Sequence, residues 1–245
     1  MHIVRKEELP STQEYCINNY KEMSIPTAVI ASAQTKGKGR ANTNWISSDG
    51  SLTFSVLLSM KNHLVNTPII TSNIIRKILA SYGVCDVLIK WPNDVYMMKG
   101  GAEYKVAGVL SNMIGKSDAT IETSEYISIL GVGINLNIPK KTGMSGYKSV
   151  EELSGIQIDK NEMFDRLLEE IERVFMQESA QNKEYSNWSN YFPYNYIMYN
   201  DKPCFILRIE DSLTIQEESG NTLCLSADEY SYNRQENRVH RKACI

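Results

Sequence analysis

A short apolar run ends abruptly near the middle of this chain, and the residues that end it constrain the fold strongly. The run Asp86-Val87-Leu88-Ile89 is typical of a buried strand, and it is followed by Lys90-Trp91-Pro92-Asn93-Asp94. Proline fixes φ and lacks an N–H, so Pro92 ends the hydrogen-bonded ladder of the strand. A cation, an amide and a carboxylate therefore lie together beyond a strand end, where loops commonly carry function. By itself the pentapeptide is also an ordinary turn signal.

Further polar segments accompany this pentapeptide along the chain. Upstream lie Ser11-Thr12-Gln13-Glu14 and a cationic, glycine-containing loop within 34–45; downstream lie Lys105-Val106-Ala107-Gly108 and Gly131-Val132-Gly133-Ile134-Asn135. In this order the segments resemble the biotin protein ligases, and the resemblance covers roughly residues 11–137. It implies a chain that makes biotinyl-adenylate from biotin and ATP and then transfers biotin to a lysine of a carboxylase carrier domain.

The order of the predicted elements favours an α+β fold. Ser11 and Glu14 form a capping box at a helix start, Thr67-Pro68 is typical of a second helix start, and a third helix is predicted from about Asn161 to Glu178. The predicted strands follow no regular β-α-β order, so we expect a mixed sheet with helices packed on it. The resemblance implies the class II aminoacyl-tRNA synthetase-like fold of the biotin ligase catalytic domain.

The last part of the chain is predicted to form a small β unit. Apolar and polar residues alternate over Cys204–Ile209, Leu213–Ile215 and Thr222–Leu225, which is typical of short strands. We expect a catalytic domain over residues 1–201 and, from the resemblance, a small SH3-like C-terminal domain over residues 202–245.

Composition argues against several other classes of protein. The formal net charge of −3 does not suit a general nucleic-acid binder, and no apolar run approaches the roughly 20 residues of a membrane span. The first residues lack the apolar core of a signal peptide, and the 5 scattered cysteines have no metal-ligand spacing, which favours a reduced, cytoplasmic protein. Only a short segment precedes Ser11, so we do not expect the DNA-binding domain of the family's repressors. The sequence leaves a monomer and a homodimer equally open.

The loop from Lys36 to Arg40 is suited to binding anions. It carries Lys36, Lys38 and Arg40 beside Gly37 and Gly39, and it contains no acidic residue. Joining a carboxylate to ATP brings two anions together, so positioning and charge neutralisation carry most of such a reaction. The resemblance makes Arg40 the residue that holds the reactive adenylate; a mobile, solvated loop is the alternative.

The resemblance implies three catalytic residues: Lys105, Arg40 and Asp94. Lys105 would lie against the biotin carboxylate and the α-phosphate of ATP and would stabilise the negative charge that develops there. Strand alternation alone also allows Lys105 to face solvent. Asp94 would either position the acceptor amine, or accept its proton, or hold Mg²⁺ near the phosphates, and the residues leave these roles open.

The resemblance also implies two sets of binding residues. Those on the biotin side are Ser11, Thr12, Gln13, Gln34, Lys38, Gly39, Arg40, Lys105 and Gly108. Those on the ATP and adenylate side are Gly37, Lys38, Arg40, Trp45, Lys90, Asn93, Lys105 and Asn135. The family usually has asparagine at the place of Gln13 and often has arginine at the place of Lys38. Trp45 can equally begin the packing of the next strand.

Two other functions share part of this pattern. A lipoate or octanoate ligase has the same fold but a different signature, an arginine- and glycine-rich segment followed by a histidine, which this chain lacks. A biotin or nucleotide sensor without enzymatic activity would not need both Lys105 and Arg40. The expected function is therefore biotin–protein ligation with Mg²⁺ and ATP on a carrier lysine.

Overall fold

The computed structural model describes residues 1–40, 43–61, 67–115, 125–138, 148–177, 191–209, 212–227 and 229–242. The strands of its first part are β1 (His2–Leu9), β2 (Thr27–Gln34), β3 (Gly37–Lys38), β4 (Asn44–Trp45), β5 (Ser51–Lys61), β6 (Val87–Lys90), β7 (Asp94–Lys99), β8 (Ala102–Gly115) and β9 (Glu125–Asn135). The helices are α1 (Thr12–Asn19), α2 (Thr67–Ser81), α3 (Val150–Ser154) and α4 (Lys160–Glu172). None of the described helices is both long and apolar enough to cross a membrane.

A seven-stranded mixed sheet, which we call the large sheet, organises these elements. Its strand order is β1-β2-β5-β9-β8-β7-β6, with β1 parallel to β2 and each other neighbouring pair antiparallel. Strands β3 and β4 form a separate short hairpin above it. The α+β class predicted from the sequence is confirmed.

Helices α2, α3 and α4 cover one face of the large sheet. Because side chains alternate along a strand, Phe54 and Val56 of β5 both point to this face, where Phe54 packs edge-on against Phe164 of α4 with ring centroids 5.1 Å apart. The Asp159 carboxylate caps α4 by accepting from the N–H groups of Asn161 and Glu162. The helix continues as a single π-helical turn over Arg173–Gln177, and the predicted end at Glu178 lies outside the described residues.

Helix α1 covers part of the opposite face. Ser11 is its N-cap, and the Ser11 hydroxyl accepts from the N–H of Glu14 at 3.4 Å, as the capping-box pattern predicted. Cys16 packs with Val29 and Ile129 of the sheet, and burial raises the pKa of the Cys16 thiol to about 12. The rest of this face is left for the residues of the candidate site.

The last part of the chain forms a second, six-stranded sheet, which we call the small sheet. Its strands are β10 (Tyr196–Tyr199), β11 (Lys202–Ile209), β12 (Ser212–Glu217), β13 (Thr222–Ser226), β14 (Tyr230–Asn233) and β15 (Arg238–Arg241), in the order β13-β12-β11-β10-β15-β14. The predicted division after residue 201 falls in the turn between β10 and β11, where Asn200 and Asp201 both have positive φ. The cluster beneath this sheet includes Ile89 and Trp91, so the two sheets share apolar packing.

Candidate active site

The face of the large sheet opposite α2 and α4 carries a row of site residues that runs across five strands. The register pairs Thr53 with Gly133, Gly133 with Gly108, Gly108 with Asp94, and Asp94 with Lys90. Directly paired residues project from the same face of a sheet, so these five positions form one line. The line joins the Lys90–Asp94 segment to the segments that contain Gly108 and Gly133.

Gly108 and Gly133 of this row, with Gly131 beside them on β9, form a glycine floor on which neighbouring side chains lie. A Cβ atom on Gly133 would lie 2.4 Å from Cε2 of Trp45, and one on Gly131 would lie 2.5 Å from Oε1 of Gln13. A Cβ on Gly108 would lie 3.3 Å from both the Lys105 Nζ and the Trp45 ring. The missing side chains therefore allow other groups to approach the strand backbone closely.

A buried polar network lies at one end of the glycine floor. The N–H of Thr12 donates to Oε1 of Gln34 at 2.7 Å, and the Thr12 hydroxyl lies 2.9 Å from that of Ser55 on β5. Gln34 in turn donates from Nε2 to the hydroxyl of Ser47 at 3.0 Å. Ser11, Thr12 and Gln13 are all less than 5% exposed. Residues predicted on the biotin side from separate segments thus lie together in one network.

Gln13 spans this network from α1 to the sheet. Its Nε2 donates to the carbonyl of Ile129 at 2.7 Å and to Oδ1 of Asn112 at 3.0 Å, while its Oε1 accepts from Ser55 at 2.9 Å. Both amide hydrogens of Gln13 are therefore used within the protein, and only acceptor capacity remains for a ligand.

The glycine-containing loop folds back as the β3–β4 hairpin. Gly37 pairs with Trp45, and a Cβ on Gly37 would lie 2.4 Å from the Trp45 carbonyl oxygen. Gly39 donates its N–H to Thr43 at 2.7 Å. The hairpin thus places the Trp45 ring over the glycine floor. Lys38 instead forms a solvent-exposed ion pair with Glu14 of α1 at 3.2 Å, a type of contact that contributes little stability.

Arg40, just beyond β3, reaches both sheets. Its Nη1 donates to Oδ1 of Asn93 at 3.2 Å, and its Nη2 donates to the carbonyl of Ala227, after β13, at 3.0 Å. Asn93 is itself bound to β8, because its Nδ2 donates to the carbonyl of Val109 at 2.7 Å and its own carbonyl accepts from the Val109 N–H at 3.0 Å.

Asp94 of the row forms an ion pair with Lys105 of β8, and this pair is the charged part of the site. The Lys105 ammonium lies 2.6 Å from Oδ1 of Asp94 and 5.8 Å from the centroid of the Trp45 ring. Both side chains remain partly accessible, at 38% and 22% exposure, so a ligand can reach them. This position supplies a fixed cation where a carboxylate and a phosphate could meet.

The donor set around Asp94 bears on the predicted Mg²⁺. No cluster of three or more His, Cys, Asp or Glu side chains occurs among the described residues. Mg²⁺ commonly binds through only one or two carboxylates together with substrate phosphates. The single carboxylate of Asp94 therefore fits a metal that arrives with a nucleotide.

Two buried polar atoms near Gly133 lack a hydrogen-bond partner among the described residues. They are Nε1 of Trp45, a donor, and Oδ1 of Asn135, an acceptor. Asn135 is 2% exposed and follows Gly133 by two positions on β9, so it projects from the same face. Buried polar groups are nearly always hydrogen-bonded, so these two atoms are candidate contacts for a bound polar group.

Lys90, at the far end of the row, faces a second space. Its ammonium lies 5.2 Å from the Tyr96 ring centroid, and it lines a cavity of about 420 Å³ between the β6–β8 edge and the β14–β15 hairpin, together with Glu103 and Arg234. Burial raises the pKa of the Tyr96 phenol, and the charges of Asp94 and Glu103 raise it further.

Sequence reasoning missed Ser55 and Asn112, which complete the polar network. A signal for Ser55 was available, because Thr53 and Ser55 are two hydroxyl residues on one strand face within the otherwise apolar run Leu52–Leu58. Asn112 carried no such signal, because polar residues are ordinary in a half-exposed strand.

Comparison with known proteins places the chain in a class. A model of the biotin/lipoate A/B protein ligase family matches residues 7–135, more than half of the chain. The chain belongs to that family.

Individual relatives agree with this assignment. The chain is 27% identical to the bifunctional ligase/repressor BirA of Escherichia coli (strain K12) over 173 residues, which cover 66% of this chain and 50% of that protein. It is 27% identical to biotin–protein ligase 2 of Arabidopsis thaliana over 143 residues, covering 55% of this chain and 40% of that protein. The chain thus spans half or less of the length of these relatives.

Solved structures share the fold. The biotin protein ligase from Aquifex aeolicus in complex with biotin and ATP superposes with a TM-score of 0.66 at 23% identity, covering 98% of this chain and 99% of that chain. The biotin acetyl coenzyme A carboxylase synthetase from Helicobacter pylori superposes with a TM-score of 0.60 at 20% identity, covering 100% of this chain and 98% of that one. The similarity includes the small sheet as well as the large one.

Proposed function

We propose that this protein is a biotin–protein ligase. It activates biotin with ATP to biotinyl-5′-AMP, releases pyrophosphate, and transfers biotin to a specific lysine of a biotin carboxyl carrier domain of a carboxylase. The observation that carries this proposal is the row across the large sheet, in which a glycine floor separates a buried polar network from the Lys105–Asp94 pair. Family membership and the biotin ligases among the relatives support it.

The polar network suits the head of biotin. A ureido ring needs both donors and acceptors inside an enclosed site, because unpaired polar groups there are costly. Thr12, Gln34, Ser11 and the remaining acceptor capacity of Gln13 offer them. The aliphatic chain of biotin then lies along Gly108, and its carboxylate reaches Lys105.

Lys105 supports the first reaction step. A carboxylate oxygen of biotin attacks the α-phosphorus of ATP, the bond from that phosphorus to the bridging oxygen breaks, and pyrophosphate leaves. The Lys105 ammonium stabilises the negative charge on the phosphoryl oxygens, and Arg40 contributes a second cation to the intermediate. Asp94, together with the phosphates, would hold Mg²⁺, which would supply further charge neutralisation.

Asp94 supports the second step. The neutral amine of the acceptor lysine attacks the acyl carbon of the adenylate, and AMP leaves with the bonding electron pair. The amine then loses a proton, for which the Asp94 carboxylate is an acceptor within the row. On the nucleotide side we place Trp45 and Asn135 at the adenine ring, since their unpaired donor and acceptor suit its edge, and Gly37, Lys38 and Lys90 around the phosphates, with Asn93 beside them.

We also propose a cytoplasmic protein with a catalytic domain over residues 1–201 and a small β domain over residues 202–245. Free thiols support the location: Cys16, Cys85, Cys204 and Cys224 are unpaired. The separate strand orders of the two sheets support two domains, although β10, which precedes residue 202, pairs within the small sheet.

The test is ATP–pyrophosphate exchange by the purified protein with Mg²⁺ and with biotin, lipoate or no acid. We expect exchange with biotin alone. Exchange with lipoate would assign the chain to the lipoate branch of its family, and biotin binding without exchange would make it a sensor. Lys105→Ala should abolish exchange without unfolding the protein, whereas Lys21→Ala, at an exposed lysine, should leave it unchanged. Near-normal turnover by Lys105→Ala would refute the role of Lys105.

A further inference from the structure

We propose that Asn93 is a positioning residue that fixes the Arg40 guanidinium at the charged end of the row. The carbonyl of Ala227, next to the small sheet, holds the same guanidinium at a second point. The expected effect of Asn93 on kinetics rests on the proposed ligase activity. The expected effect of Asn93 on the position of Arg40 rests on the contacts alone.

The two arms of Arg40 bind to different sheets. Nη1 donates to Oδ1 of Asn93 at 3.2 Å, and Nη2 donates to the carbonyl of Ala227 at 3.0 Å. A planar guanidinium held at two of its donors has its plane and direction fixed. A lysine at position 40 would be held at one point and would lack this orientation.

The contacts of Asn93 determine which atom it presents to Arg40. Asn93 is buried, and its Nδ2 donates to the carbonyl of Val109 at 2.7 Å. A second, main-chain bond joins the same two residues, so the side chain has little freedom to turn. With its donor end engaged by β8, the amide presents its oxygen to the loop, and an oxygen attracts the cation of Arg40.

This assignment differs from direct ligand binding by Asn93. The nitrogen of the Asn93 side-chain amide donates to the Val109 carbonyl, and its oxygen accepts from Arg40, so both ends of the amide are engaged within the protein. Its effect on the reaction should therefore pass through Arg40. That route has a measurable signature, because a residue that acts only through a second residue has no further effect once the second is removed.

The kinetic test is a double-variant cycle on ATP–pyrophosphate exchange with biotin. We expect Asn93→Ala to lower kcat/KM about ten- to a hundredfold, the scale of a misplaced catalytic group. In an Arg40→Ala background, the same substitution should change kcat/KM by less than about twofold. If Asn93→Ala lowered kcat/KM by the same factor with and without Arg40, the proposal would be overturned. Asn93 would then act on the ligand or on the whole fold and not through Arg40.

The structural test needs no catalytic activity. Trypsin cleavage after Arg40 should be faster in Asn93→Ala than in the parent protein, because the side chain is released. Asn93→Asp keeps an acceptor oxygen and should retain the protection, although it loses the donation to Val109. Equal cleavage rates for the parent and Asn93→Ala, or equally fast cleavage of both variants, would overturn the proposal.

Asn137→Ala is the matched control. Asn137 also donates from Nδ2 to a main-chain carbonyl, that of Ile158, at 2.6 Å, and among the described residues it makes no hydrogen bond to the loop 36–40. It should lower thermal stability without changing cleavage after Arg40. If the parent protein showed no exchange at all, the proposed ligase activity would fail, while the cleavage rates would still decide the role of Asn93.

Discussion

Packing of the Trp45 ring on Gly133 leads to a prediction about stability. A Cβ atom on Gly133 would lie 2.4 Å, 2.6 Å and 2.8 Å from Cε2, Cζ2 and Nε1 of Trp45, so Gly133→Ala must displace a rigid ring. Overpacking of this kind typically costs about 1–3 kcal/mol. In open space the same change would stabilise a strand by about 0.5–1 kcal/mol, because glycine loses more backbone entropy on folding. The net loss in free energy of unfolding should therefore be about 0–2.5 kcal/mol.

A double-mutant cycle separates the two contributions. In a Trp45→Ala background the new methyl group has room, so Gly133→Ala should stabilise the protein by about 0.5–1 kcal/mol. The coupling free energy between the two positions should then be about 1–3 kcal/mol. Urea denaturation followed by circular dichroism measures all four free energies. Gly108→Ala provides a graded comparison, because its Cβ would lie 3.3 Å from the Trp45 ring and should couple more weakly.

The result that would refute this reasoning is additivity. If the two substitutions add to within about 0.5 kcal/mol, the ring does not pack on Gly133 in solution. Glycine at position 133 would then be needed for a different reason, such as space for a ligand. If Gly133→Ala had normal stability and also bound biotin and ATP normally, a need for ligand space would be excluded as well.

Three further predictions concern the polar network, the nucleotide side and pH. Ser55→Ala removes the donor to Gln13 and should lower the free energy of unfolding by about 1–3 kcal/mol in urea denaturation and weaken biotin binding in calorimetry; unchanged values in both would remove Ser55 from the network. Asn135→Leu replaces an unpaired buried oxygen, so it should leave stability equal or higher while weakening ATP binding; lower stability with normal ATP affinity would contradict the assignment. Burial raises the pKa of three phenols in the folded protein above the ordinary value of 10.0, so the native state binds more protons than the unfolded state above about pH 10. The contribution of these phenols to stability is thus complete below about pH 10 and falls as pH rises further. The midpoint of urea denaturation should therefore be lower at about pH 11 than at about pH 9, and an unchanged midpoint would contradict the prediction. The phenols are those of Tyr96, Tyr191 and Tyr232.

The meeting of Asp94 with Lys105 could be predicted from local sequence. Two alternating runs flank Gly100 and Gly101, which both adopt positive φ in the turn, and such a pattern predicts a hairpin. Once β7 and β8 pair, Asp94 and Lys105 lie on neighbouring strands near the bulge after Val95. The same local reasoning correctly placed the N-cap of α1 at Ser11.

Contacts between distant segments could not be predicted in this way. The bond between Arg40 and Asn93 depends on where a loop settles over the sheet, and the bond to Ala227 depends on how the two sheets pack. Strand β1 was also missed, because most of its residues are exposed or half-exposed at the sheet edge and it pairs in parallel with β2. Hydrophobic periodicity reports which face of an element is buried, and it carries no information about which polar atoms meet across the fold.

The shared packing of the two sheets explains why the small sheet bears on a site built from the large one. Trp91, in the pentapeptide that carries Asn93 and Asp94, is 1% exposed and packs in the same apolar cluster as Ile197 and Tyr232 of the small sheet. The buried Trp91 ring therefore anchors the Lys90–Asp94 segment to the small sheet, and the Ala227 carbonyl binds Arg40. Closely packed interiors resist small displacements, so a shift of the small sheet would move Asn93 and Arg40 together. The predicted site residues all lie within the matched family region, residues 7–135, yet the position of Arg40 depends on Ala227, far outside that region.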